Sequence, residues 1–163
     1  KIKKDYIAEA KTEINELKIK ADEEYGEGEN AVYVYYYDVY KELANLKSEE
    51  CFPCKIGRTD REPLQRIISQ TGTCYPEKPH IAVLFYCRNS YNLESSFHSI
   101  LKARNKWIEN APGIEWFNTN IEEIKEIYNF INKNFIIFIS VCDNSINFFI
   151  NYSANTIKIL INI

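Results

Sequence analysis

In the first 25 positions the apolar residues Ile7, Ala10, Ile14, Leu17 and Ala21 recur at alternating intervals of three and four, with lysines and glutamates between them. This spacing predicts an amphipathic helix over positions 2–25, broken by 26–30 and too short to require a coiled coil. The period then changes. Residues 31–37 read AVYVYYY, a β-branched and aromatic run that predicts a strand. A polar connector ending in Cys51-Phe-Pro-Cys54 leads to a second short strand over 54–58, centred on Ile56. Thr59 and Glu62 have capping-box spacing and Pro63 suits a first helical turn. Leu64, Ile67 and Ile68 then mark one apolar face up to Gly72, which together predict a short helix. The nearly unbroken apolar run from His80 to Cys87 suits a buried central strand. Asn89 or Ser90 caps a helix with Leu93, Phe97, Ile100 and Leu101 inside, and Gly113 ends the turn after it. Asn120 caps a last helix with Ile121, Ile124, Ile127, Tyr128 and Ile131 inside, and Glu122 and Glu123 in its first turn suit the helix dipole. The Ile/Asn/Phe-rich stretch beyond 133 is compatible with added strands or with a poorly specified tail.

The order strand, strand, helix, strand, helix, helix predicts an α+β fold. Its small central sheet would have about three strands flanked by helices. Three segments follow: an N-terminal helical extension over 1–29, a domain over 30–132 and a C-terminal extension over 133–163. An apolar share of 45% in 163 residues is enough for a core, which argues against disorder. The aromatic wealth, twelve Tyr and nine Phe, reads first as strand and core packing. The chain has no Met and starts at Lys1, so we expect further sequence or a further domain upstream. Five Cys, an odd number with no signal-peptide pattern, favour a reducing, cytoplasmic setting over a disulfide framework. The apolar run 135–141 is closed by Asp143, short of the roughly 20 residues of a membrane span, so no membrane contact is expected from this segment.

Net charge is −3, but it is unevenly spread. Residues 1–50 hold 8 basic and 13 acidic side chains, 51–108 hold 9 and 4, and 109–163 hold 3 and 6. A basic centre between acidic flanks fits a phosphate-binding face, although an ordinary solvated surface gives the same count. Cys51, Cys54, Cys74 and Cys87 suggest zinc less than they suggest plain thiols, because the second pair is not C-x-x-C and Cys87 falls in a buried strand. There is no Gly-rich phosphate loop, no H-E-x-x-H and no G-x-S-x-G, which leaves nucleotide-dependent transfer, zinc proteolysis and serine hydrolysis without support.

Five pieces stand in a meaningful order: AVY ending at Tyr33, KIGRT from Lys55 to Thr59, Arg66, ESSFH from Glu94 to His98, and EWF from Glu115 through Trp116 to Phe117. This series resembles the GIY-YIG nuclease superfamily, especially its T5orf172 branch, over about residues 30–132. Ala31 stands where that family has the glycine of GIY. Lys55 replaces the second tyrosine, as is usual in the branch. The resemblance implies a metal-dependent endonuclease that hydrolyses phosphodiester bonds of DNA, in phage, mobile-element or restriction and defence settings. Its alternative is a non-catalytic nucleic-acid-binding module that keeps the fold.

Hydrolysis of a phosphodiester needs a water aligned and deprotonated, negative charge on phosphorus offset, and the leaving oxygen neutralised. The resemblance implies Tyr33 as the base or water-orienting phenol, Lys55 as its helper or a phosphate contact, and Arg66 as the ligand of the scissile phosphate. A guanidinium suits that last role because it gives two parallel donors and stays charged. Arg58 would be a second phosphate ligand. Glu94 would be the ligand for Mg²⁺, for which Mn²⁺ can substitute, because a carboxylate oxygen suits a hard cation. His98, one helical turn on, shares its face and is either catalytic or a packing histidine. Gly57, Glu115 and Trp116 are motif residues with structural roles first. A structural reading stands beside each of the others too: strand packing for Tyr33, a strand-end arginine for Arg58, and a solvated face for Arg66 and Glu94. Tyr33, Lys55, Arg66 and Glu94 are expected to converge on one concave, basic face. One such site cuts one strand at a time, so a double-strand break takes a homodimer or two visits.

Overall fold

The computed structural model describes residues 20–71, 77–142, 148–153 and 156–161, with side chains through 133. The elements run β1 (Glu23–Gly26), β2 (Asn30–Tyr36), α1 (Asp38–Leu46), β3 (Phe52–Thr59), α2 (Pro63–Thr71), β4 (His80–Cys87), α3 (Ser90–Ala103), β5 (Trp116–Thr119), α4 (Ile121–Cys142), β6 (Phe148–Ser153) and β7 (Thr156–Ile161). The α+β class holds, but the sheet has five strands, in the order β1-β4-β2-β3-β5, where about three were expected. β1 runs parallel to β4 and the other pairings are antiparallel. The two unforeseen strands are both edges of four residues, too short to show an alternating pattern. β1 also corrects the end of the expected first helix, because 23–26 are extended; positions 2–19 of that helix lie outside the described residues, as does Cys74.

The centre of the sheet is β2, buried from Ala31 to Tyr36 because strands flank it and each of its faces packs. Its side chains alternate. Tyr33 and Tyr35 join Ile67 of α2, Leu84 of β4 and Trp116 of β5 in one apolar cluster, which Ala21 also enters. Val32 pairs with Phe85, whose ring meets Phe97 of α3 at 5.3 Å on the opposite face. Burying a side chain of this size stabilises by about 1.5–3 kcal/mol, so this two-sided packing is what fixes the register.

The helix starts follow local chemistry. Asn89 caps α3 by accepting from the Asn92 N–H at 3.0 Å, and Asn120 caps α4 by accepting from Glu123 N–H at 2.8 Å. At α2 the cap is Glu62, whose carboxylate takes the N–H groups of Leu64 at 3.2 Å and Gln65 at 2.6 Å. Thr59, expected as the cap, is instead the last residue of β3 and accepts from Arg61 N–H. The connector between β2 and β3 contains a helix that was not anticipated, α1, of which Ala44 alone is buried while Val39, Leu43 and Leu46 face outward.

The chain divides into two compact units, residues 1–124 and 125–163. The second consists of the remainder of α4 and the antiparallel hairpin β6–β7, so added strands are the outcome of the two considered for the C-terminal stretch. Among the described residues no helix is long and apolar enough to cross a membrane.

Candidate active site

β5 pairs with β3 only over 52–55, and one further bond, Ile56 N–H to Glu115 O at 2.9 Å, closes the register. Among the described residues, β3 has no strand neighbour on that side from Gly57 to Thr59. Side chains from both faces of the sheet reach this open edge, and a cleft of about 500 Å³ lies there, lined by Arg58, Arg61, Arg66, Glu94, Glu115 and the 59–60 turn. Three arginines stand against Asp60, Glu94 and Glu115 in that lining. The surface is concave as expected but balanced in charge, not uniformly basic.

On one face, Tyr33 lies over Gly57, its cross-strand partner. A Cβ at Gly57 would sit 2.6 Å from the Tyr33 oxygen and 2.7 Å from Cζ, so the KIG glycine is the absence of side chain that lets the ring lie there. The Tyr33 hydroxyl reaches the side-chain amide of Gln70, one helical turn beyond Arg66 on α2. Of the two orientations of that amide, one satisfies both neighbours: the oxygen accepts from Arg66 Nη2 at 2.8 Å and Nε at 2.9 Å, and the nitrogen donates to Tyr33 Oη at 2.9 Å. The other would set amide N–H groups against guanidinium N–H groups. Burial and then the Glu115 charge push the Tyr33 phenol above its ordinary value, while Gln70 and Arg66 pull it back in part.

On the other face, Glu94 of α3 pairs through Oε2 with Arg58 Nε at 3.1 Å. Burial first, and Glu115 second, raise its carboxyl above the ordinary range; Arg58 opposes without cancelling them. The Arg58 guanidinium also lies 5.4 Å from the ring centre of exposed Tyr91. Glu115 itself is paired with Lys55 at 3.2 Å. Lys55 lies on the Tyr35 side of β3, 5.8 Å from that ring, and does not line the cleft.

His98 sits against the backbone: Nε2 is 2.8 Å from the Ile56 carbonyl and the ring is 4.9 Å from that of Phe117. It therefore takes a β3 carbonyl just where β5 ends. Burial chiefly lowers its pKa, so the ring is neutral at pH 7, donating from Nε2. Trp116 packs on Tyr35 and Tyr37 as part of the apolar cluster. Cys51, Cys54 and Cys87 are free, and among the described residues no group of three or more His, Cys, Asp or Glu side chains is gathered to hold a metal.

The structure thus brings Arg58, Arg66 and Glu94 to one cleft, joins Tyr33 to it through Gln70 and Lys55 through Glu115, and sets His98 behind it. Arg61 and Gln70 were not anticipated. Gln70 did carry a signal, its i+4 spacing from Arg66.

The family model that matches this α+β domain is that of a nuclease-associated class. More particularly, the chain belongs to the T5orf172 domain family, whose model matches residues 31–132. Membership suggests a nuclease-like or DNA-binding module. No match was found among curated proteins or solved structures.

Proposed function

We propose that the cleft is the active site of a GIY-YIG-type endonuclease that hydrolyses DNA phosphodiester bonds with the help of Mg²⁺ or Mn²⁺. The observation that carries this reading is the gathering of Arg66, Arg58 and Glu94 at the open β3 edge, with Tyr33 tied to Arg66 through Gln70. Each demand of the reaction then has a group. Arg66, held by Gln70, presents its charge to the scissile phosphate. Arg58 exchanges its Glu94 partner for a phosphate oxygen when DNA enters. Tyr33 orients the attacking water, and takes its proton as the phenolate once the phenol's own proton has passed to solvent through the cleft. Lys55 offsets Glu115 and so limits the negative field on the phenol.

The donor set suits a hard dication. Glu94 is a carboxylate whose charged form is disfavoured by burial and by a second carboxylate in the same cleft, and a bound cation relieves both. Glu94 would hold it. Such an ion would supply positive charge to offset the negative charge that develops on the phosphate.

The test is incubation of purified protein with supercoiled plasmid and Mg²⁺ or Mn²⁺, beside an EDTA control. Nicking that EDTA abolishes is the expected result. A gel shift without nicking would make the chain a non-catalytic nucleic-acid-binding module.

A further inference from the structure

Gln70 has no role in the reading above beyond contact, yet its position decides where the Tyr33 proton lies. An amide side chain has one acceptor atom and one donor atom, and its two neighbours here differ in kind. Arg66 offers only donors and cannot be deprotonated, so the Gln70 oxygen must face it, at 2.8 and 2.9 Å. The nitrogen is thereby turned to Tyr33 Oη, at 2.9 Å. Tyr33 Oη is also 3.1 Å from the Gln70 oxygen, the longer of its two contacts with the amide, and that oxygen already accepts two shorter bonds from Arg66.

We propose that Gln70 is a positioning residue: it donates to the Tyr33 oxygen, so that the phenolic proton points into the cleft and away from α2. Arg66 sets Gln70, and Gln70 sets Tyr33. Because Arg66 stays charged, the order of donors is locked across the working pH range. Donation to the phenol oxygen also favours the phenolate, opposing the burial that disfavours it. The geometry stands by itself, and its catalytic consequence rests on the nuclease reading.

The two can be tested separately. For the geometry, the side-chain amide of Gln70 is followed in ¹H–¹⁵N spectra, assigned by its loss in Gln70→Met. Tyr33→Phe removes the acceptor, so one amide proton should move upfield; unchanged amide protons in a folded Tyr33→Phe protein would overturn the proposal. For the consequence, Gln70→Met should lower plasmid nicking near pH 7 about 10- to 100-fold, the usual worth of a charge-assisted hydrogen bond. Much of that loss should be regained as pH rises, with kcat more affected than KM. Gln70→Glu keeps a partner for Arg66 but accepts the Tyr33 proton inward, so its nicking should fall at least as far. A loss in Gln70→Met that is equal at every pH, or wild-type nicking by Gln70→Glu, would overturn it. If wild-type protein binds DNA but never nicks it, the nuclease reading fails alone, and the amide spectrum still decides the orientation.

Discussion

Two carboxylates in the domain, Glu94 and Glu123, have nearly the same side-chain exposure, 13% and 15%, and each is paired with an arginine. Their surroundings push them in opposite directions. At the β5–α4 junction Glu123 faces only donors and cations: Thr119 Oγ1 at 2.6 Å, Arg104 at 2.9 Å and Lys106 at 3.5 Å. Burial alone would raise its carboxyl, but Thr119, Arg104 and Lys106 outweigh it and hold the group below the ordinary range. In the cleft Glu94 has Arg58 on one side and the charge of Glu115 on the other, and it stays above that range. Surface exposure alone does not separate the two; Glu94 is packed more deeply among protein atoms, and its partner set is the less complete. A carboxylate met only by donors and cations stabilises the fold, whereas one left short of positive charge is open to a ligand that brings it.

The largest effect should come from removing the Glu94 charge. Glu94→Gln should lower plasmid nicking by about 100-fold or more while leaving the gel shift intact or slightly tighter, because an acid near the phosphate is gone. Arg66→Ala should lose DNA affinity as well as turnover, since two donors and a charge leave together. Unchanged nicking by folded Glu94→Gln at low Mg²⁺ would move the chemistry to Glu115 and undo the contrast. Glu123→Gln is the counterpart: nicking should be retained, and stability should fall by about 1.5–3 kcal/mol as charge-assisted bonds are lost, read from urea unfolding.

Gly57→Ala tests the packing under Tyr33. It should cost about 1–3 kcal/mol by overpacking and reduce nicking toward that of Tyr33→Phe. The smallest effect is on how stability follows pH, with opposite sign for the two carboxylates. Glu123, depressed in the folded state, contributes stability present above the unfolded carboxylate value near 4.3 and lost as pH falls through its folded value. Glu94, raised in the folded state, costs stability once pH rises through its folded value. Glu94→Gln should therefore unfold at a Tm equal to or a few degrees above wild type at pH 7, with a smaller difference at pH 4, as differential scanning calorimetry would show.

The elements legible in the sequence were those whose own burial writes the pattern. β2 and β4 are buried along nearly their whole length, and α3 presents Leu93, Phe97 and Leu101 to the sheet, so their periodicity stands in the residues themselves. α1 has its apolar positions Val39, Leu43 and Leu46 at helical spacing, but with them in solvent and no side-chain cap at Tyr37 it read as a connector. β1 was obscured because Ala21 continues the three-and-four spacing and yet is buried against the sheet. In the cleft, Arg58, Arg66 and Glu94 were readable as motif positions. What no linear pattern shows is that β5 stops short of the end of β3, and this is what places residues from opposite sheet faces beside one another. The function of Gln70 was equally hidden, since it depends on which end of an amide meets a guanidinium.

The strand order also governs how the domain comes into being. In β2–β3 the outermost paired residues, Ala31 and Thr59, are 28 positions apart, whereas Glu23 waits for Val83 and Phe52 for Thr119. Contacts so distant along the chain slow folding, because loop closure must precede their reward. Loop closure alone therefore favours the β2–β3 pair ahead of the others, and that pair carries Tyr33 and Arg58, with Arg66 following on α2. Glu94 and Glu115 arrive only when β4, α3 and β5 dock. On that order Tyr33, Arg58 and Arg66 would gather before Glu94 and Glu115, and the cleft would gain its charge balance as the sheet closes.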